Sequence, residues 1–236
     1  MAATVRLAAT VLAAAFLLPG SATSAAAAPC VAHDQFRRVR PAGWVWQRSP
    51  DVVVIGAPDD PRARLVADAV AFWNGRLARL DVRFRFGRVT FAGTRRALQD
   101  YAPVVSKSVV AGRGSRLPEP VPGDLPAFCG KVVVALADTQ MISYARAMQR
   151  LGLVFVGIKA ANAWPFTLPN VARNVIAHEL GHAIGLRHNA DPRALMCGRP
   201  AACRPPLFES ARTYYFPLTT AEEDWLRTHY PPDAPR

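Results

Sequence analysis

One eleven-residue stretch, His178-Glu179-Leu180-Gly181-His182-Ala183-Ile184-Gly185-Leu186-Arg187-His188, gathers three histidines and a glutamate at metal-binding spacing. On a helix, residues i and i+4 lie one turn apart on the same face, so His178 and His182 can reach a single ion. Gly185 has no Cβ and can take the left-handed backbone that ends the helix and returns His188 as third ligand. Three neutral imidazoles leave a zinc ion its full charge and an open fourth position, the pattern of a catalytic rather than a structural site. Glu179 adjoins the first ligand, where it can accept a proton from activated water and pass it to a leaving group. The expected chemistry is hydrolysis at one catalytic Zn2+, with Glu179 as general base and then acid.

Such a site needs a rigid scaffold. The chain has 236 residues, 51% of them hydrophobic, enough for one domain with a real core and short of two. Residues 52–55 (Val-Val-Val-Ile) read as a strand buried on both faces. Asp60-Pro61 supplies an N-cap and a first-turn proline. Leu65, Val66, Ala69, Phe72, Trp73, Leu77 and Leu80 then follow at helical spacing. The helix expected over 61–79 is weakened in its last turn by Asn74-Gly75. Val82, Phe84 and Phe86 alternate with Arg83 and Arg85, the pattern of a strand with one solvated face. Residues 88–128 are broken by Pro103, Gly112, Gly114, Pro118, Pro120, Pro122, Gly123 and Pro126, and read as a loop-rich insertion.

Further apolar strands are expected at 131–137 and 153–158, joined by a helix or long connection over 139–150. The site helix should span about 170–185. A last helix near 219–229 opens on Thr219 or Thr220, with Glu222, Glu223 and Asp224 in its first turn. This order of elements describes an α/β (α+β) domain with a cleft across it.

The first 28 residues read as a secretory signal peptide. A short basic start ends at Arg6, an apolar run covers 7–19, and small residues follow to Ala28, with cleavage expected near 25–27. Residues 29–236 then form the single mature domain, exported to the cell envelope or beyond, with no transmembrane segment. An oxidising compartment favours disulfides among Cys30, Cys129, Cys197 and Cys203. Three connectivities are possible; the favoured one joins Cys197 to Cys203 and Cys30 to Cys129. A free Cys30 thiolate closing off the zinc is the rival. The net charge of +12 comes from 26 arginines and three lysines, scattered without aromatic interleaving. This reads as a solvated surface rather than a nucleic-acid interface.

The segment from His178 to His188 resembles the zinc motif of the metzincin metallopeptidases. Ala194-Leu195-Met196 is similar to their Met-turn, with spacing closest to the matrixins. The resemblance implies a mixed, mostly parallel twisted sheet with packed helices and a central zinc-binding helix. A small loop-rich C-terminal part with the Met-turn and a final helix should follow. It implies that Met196 floors the three imidazoles and that residues 153–158 form the cleft-edge strand pairing with an extended peptide. It also implies a monomeric endopeptidase acting on protein or peptide substrates.

Departures are local. Asn189 stands where matrixins carry Ser, and Cys197-Gly198-Arg199-Pro200 replaces the aromatic-proline wall of their main pocket. No cysteine propeptide motif, tyrosine ligand or calcium loop is evident, and His33 and His229 read as surface or tail residues. A catalytically silent zinc-bearing peptide-binding module and a hydrolase of non-peptide amides are the alternative readings.

Overall fold

The structure, a computed structural model, describes residues 30–39, 43–112, 117–162, 164–198 and 213–232. The expected signal peptide and Cys203 lie outside these residues. A short antiparallel hairpin, β1 (Phe36–Arg38) and β2 (Trp44–Trp46), precedes the main sheet. Next come β3 (Asp51–Ile55), α1 (Pro61–Arg79), β4 (Val89–Phe91) and α2 (Arg96–Val110). Strands β5 (Lys131–Leu136), β6 (Tyr144–Met148) and β7 (Leu153–Ile158) follow, then α3 (Pro169–Ala183) and α4 (Thr220–His229). The sheet order is β4-β3-β5-β7-β6, and only β6 runs antiparallel to its neighbour. A mostly parallel sheet with packed helices is therefore what forms.

Helix α1 starts where its cap chemistry places it. Asp60 accepts the N–H of Arg62 at 2.9 Å, and Pro61 occupies the first turn. The Arg62 guanidinium turns inward, pairs with Asp60, and donates to the carbonyls of Ala137 at 2.8 Å and Lys159 at 2.6 Å. It thus caps the carboxyl ends of β5 and β7 just where the sheet's own bonding runs out. Asn74 does not end the helix early. Its amide leaves the helix surface to hold both the N–H (2.8 Å) and the carbonyl (2.9 Å) of Phe86.

The apolar runs in β3, β5 and β7 are explained by burial on two faces. Val52, Val54, Val132, Val134, Val154 and Val156 join α1 and α3 in one core. Val53, Ile55, Val133, Ala135 and Phe155 face the other way, onto Leu98, Tyr101, Ala102 and Val105 of α2. That second layer corrects the expectation of a loop-rich insertion over 88–128. Pro103 sits inside α2, at a cost of about 3 kcal/mol. Burying Leu98, Tyr101 and Val105 at roughly 1.5–3 kcal/mol each outweighs it.

Three further expectations change. Residues 82–86 show the expected alternation, with Val82, Phe84 and Phe86 buried, yet they form no strand. Their backbone is taken up by Asn74 and by Tyr230, whose carbonyl accepts from Arg83 at 3.2 Å. Residues 144–148, inside the stretch expected to be helix or connection, are strand β6. Arg146 masked its period of two: the side chain points inward beside Tyr144 and Met148 and donates to Ser108 Oγ at 3.2 Å. Finally, residues 153–158 are a strand but not the cleft edge. β7 lies between β5 and β6, and β6 is the edge.

Cys30 and Cys129 form a disulfide, which excludes the free Cys30 thiolate. It closes a loop of 99 residues in sequence, so replacing both by serine should lower the unfolding free energy by about 2–5 kcal/mol. Guanidinium titration of the wild type and the double variant checks this; an unshifted midpoint would refute it.

Candidate metal centre and cleft

Helix α3 carries a polar stripe at every fourth residue: Asn170, Asn174, His178 and His182. Its opposite face, with Val171, Ala172, Ile176, Ala177, Leu180 and Ala183, is sunk in the main core. Two indoles pin it there, Trp73 Nε1 donating to the Ala177 carbonyl at 2.8 Å and Trp46 Nε1 to that of Ala183 at 2.7 Å. Gly185 takes φ +96°, and the Leu186 N–H returns to the Gly181 carbonyl at 3.1 Å, so the chain leaves the helix sideways toward His188. Tyr230, just past α4, seals this turn by donating to the Ile184 carbonyl at 3.0 Å.

The three imidazoles meet where the motif requires. His188 Nε2 lies 3.1 Å from His178 Nε2 and 3.0 Å from His182 Nε2. Nδ1 of His178 bonds the Leu195 carbonyl at 2.7 Å, and Nδ1 of His182 that of Leu186 at 2.8 Å. A carbonyl only accepts, so each Nδ1 carries the proton and each Nε2 offers a lone pair. Burial lowers both histidines, His178 to about 4 and His182 to about 3, and lowers His188 as well. All three are therefore neutral at neutral pH. Two nitrogens 2.0–2.1 Å from a tetrahedral ion stand about 3.3 Å apart, close to the spacings seen. The donor set fits zinc. Among the described residues this is the one histidine, cysteine or acidic cluster able to hold an ion.

Glu179 points away from solvent beside the triad and is only 5% exposed. Burial pushes its carboxyl up to about 8, opposed by the backbone N–H of Ala145 on β6. Its Oε2 is buried and has no hydrogen-bond partner. Met196 is fully buried under the helix, and any Cβ on Gly181 would strike its sulfur and the Trp73 ring. That glycine is what lets the methionine turn press against α3 between the first two ligands. His33 is exposed, while His229 is half-buried and stacks on Trp225 at 4.3 Å; neither joins the site. Cys197 is disulfide-bonded, and its expected partner Cys203 lies outside the described residues.

Sequence reasoning missed Asn170 and Asn174, which are 2% and 4% exposed. Asn174 donates to the Tyr214 carbonyl at 2.7 Å and accepts from the Phe216 N–H at 2.8 Å. Asn170 accepts from the Tyr214 N–H at 3.2 Å. Their amides act like a neighbouring strand and lay residues 214–216 along α3, one turn before the first ligand. Leu195 continues the link: its N–H bonds the Pro217 carbonyl at 2.8 Å while its own carbonyl holds His178. The legible signal was the four-residue period Asn-Asn-His-His.

Three histidines on a helix and its exit turn, over a buried methionine, define a metzincin-type zinc metalloendopeptidase centre. The family model described as matrixin matches residues 158–204, which run from the end of β7 through α3 and the three histidines past the methionine turn. No curated protein matches the chain. Asn174→Ala would strip two backbone groups of their partners, a loss of about 2–6 kcal/mol at 1–3 kcal/mol for each group left unsatisfied. Thermal unfolding measures it, and a loss below about 0.5 kcal/mol would show that the amide clamp carries no weight.

Proposed function

We propose that this chain is an exported zinc endopeptidase in which Glu179 is the general base and acid and His178, His182 and His188 hold the ion. The observation that carries the reading is the buried, unpartnered Oε2 of Glu179 beside three converging Nε2 lone pairs. A buried carboxylate oxygen without a partner is costly and calls for a reason. A proton-accepting role gives one.

Zinc bound there supplies Lewis acidity, activating water and polarising a scissile carbonyl. Glu179 takes the proton that the attacking water loses, and burial has already raised its affinity for that proton. The same carboxyl then delivers it to the departing amine nitrogen, which completes hydrolysis of the peptide bond. Leu195 and Leu186 keep the two helix histidines in the tautomer that donates from Nδ1, so neither ring rotates or gains a proton during the cycle.

Substrate geometry follows from the sheet. As an edge strand, β6 has one side without a strand partner, and such an edge accepts an extended peptide as an added strand. The Ala145 N–H faces Glu179, so that open edge borders the triad. Residues 214–217 are laid beside α3 and the methionine turn by Asn174 and Leu195, and would form the other margin. An extended protein segment lying between them is the substrate this cleft suits. Disulfide-bonded Cys30, Cys129 and Cys197 support action in an oxidising compartment. Among the described residues no helix is long and apolar enough to cross a membrane.

Glu179→Gln should retain one zinc per chain and cut an unfolded protein at least about 10²–10⁴-fold more slowly. Zinc quantification beside a cleavage assay tests this, and undiminished cleavage by the variant would sink the role of Glu179. Chelation should abolish cleavage by the wild type. It should also lower the melting temperature, because the ion binds the folded state alone. Calorimetry with and without chelator measures the shift, and coincident melting curves would count against a bound ion.

A further inference from the structure

The third ligand is held unlike the other two. His178 and His182 are aimed through Nδ1 by backbone carbonyls, the usual outer partner of a metal-binding imidazole. Among the described residues nothing accepts from Nδ1 of His188, and what touches the ring there is the chain that follows the methionine turn. Gly198 lies against that ring, so close that a Cβ would overlap it. The Gly198 N–H donates to the Asn189 carbonyl at 3.0 Å, and the Asn189 N–H donates to the Met196 carbonyl at 2.9 Å. Residue 189 thereby ties the ligand loop to the methionine turn.

The Asn189 side chain reaches further. Its Oδ1 accepts the Asp191 N–H at 2.8 Å, and its Nδ2 donates to Glu222 Oε1 at 2.6 Å. Glu222 is buried on the first turn of α4, and its Oε2 accepts the Thr219 N–H at 2.8 Å. The residue types are matched to this task. A carboxylate alone can accept from both Asn189 and Thr219, and an amide alone can donate to Glu222 while accepting from Asp191.

We propose that Asn189 and Glu222 are a positioning pair that sets the angle at which His188 presents Nε2, coupling the metal centre to α4. This rests on the zinc-peptidase reading of the triad. Asn189→Asp sets two carboxylates against each other and should weaken zinc binding about 10–100-fold. Asn189→Ser keeps an acceptor for Asp191 but does not reach Glu222, and should fall between that variant and the wild type. The double variant Asn189→Asp/Glu222→Gln restores the bridge with its polarity reversed: the new amide donates to residue 189 and its carbonyl accepts from Thr219. It should recover wild-type affinity to within about threefold, the non-additivity expected of a direct contact.

Competition with a chelator of known affinity reads zinc binding, and the visible spectrum of the cobalt-substituted protein reads ligand geometry. The melting temperature of the zinc-free protein should move far less than either. Unchanged affinity and cobalt spectrum in Asn189→Ser would overturn the pairing, as would a double variant no better than Asn189→Asp. A wild type that binds no zinc would overturn the enzyme reading itself. Zinc bound normally by wild type and single variants alike would remove only the positioning role.

Discussion

Three imidazole lone pairs aimed at one point repel one another and each gives up hydration, so the converged triad is a cost that the surrounding fold must meet. Nε2 atoms 3.0 and 3.1 Å apart cannot be held by the helix alone. The Leu195 and Leu186 carbonyls lock two rings. Gly185 turns the chain out of the helix, and Gly181 admits Met196 from below. These supports come from α3, its exit turn and the methionine turn, and the last two are held in turn by Tyr230 just past α4 and by Pro217 just before it. The site is therefore a property of the whole C-terminal half.

What keeps that half rigid is the sheet behind it. α3 is fastened to α1 and to the N-terminal hairpin by indole hydrogen bonds from Trp73 and Trp46. α1 is in turn fastened to the carboxyl ends of β5 and β7 by Arg62. With α2 on the far face, the strands are enclosed on both sides by two distinct cores. A sheet packed on both faces resists bending, because any shear exposes apolar surface on one side. The edge strand β6 inherits that stiffness through five paired residues with β7. If substrate adds to that edge as proposed, it meets a rail whose shape is set before binding, which lowers the ordering cost of association.

Much of this was legible from short-range pattern. The α1 boundaries followed from Asp60-Pro61 and a clear helical period, and the α4 cap from Thr219 and Glu222, because caps are local interactions. The triad was legible for the same reason: its ligands fall within eleven residues. What could not be seen depends on distant partners. α2 was hidden because Pro103 argues against a helix unless one knows that a bare sheet face awaits cover. β6 was hidden because Arg146 breaks the apolar alternation, and its inward orientation makes sense only beside Ser108. Residues 82–86 show the converse error: alternating burial reports an extended chain over a core, and says nothing about whether a neighbouring strand is there to pair with it. The edge position was misassigned to residues 153–158 because strand order in a sheet is not a property of any one strand.

The stripe Asn170, Asn174, His178, His182 joins these two scales. A single helical face carries the ligands at its C-terminal half and the amides that lay down residues 214–216 at its N-terminal half. One turn of α3, about 5.4 Å, therefore separates Asn174 and the segment it pins from His178. The chain after Met196 departs from the matrixin pattern in sequence, yet it returns at residue 214 to a place dictated by this stripe. A margin held by side-chain amides differs from one held by its own turn. The amides fix the backbone of residues 214–216 directly, while Phe216 is buried in the main core and Tyr215 stacks on Phe72 of α1, so backbone and side chains of this segment are anchored to different elements.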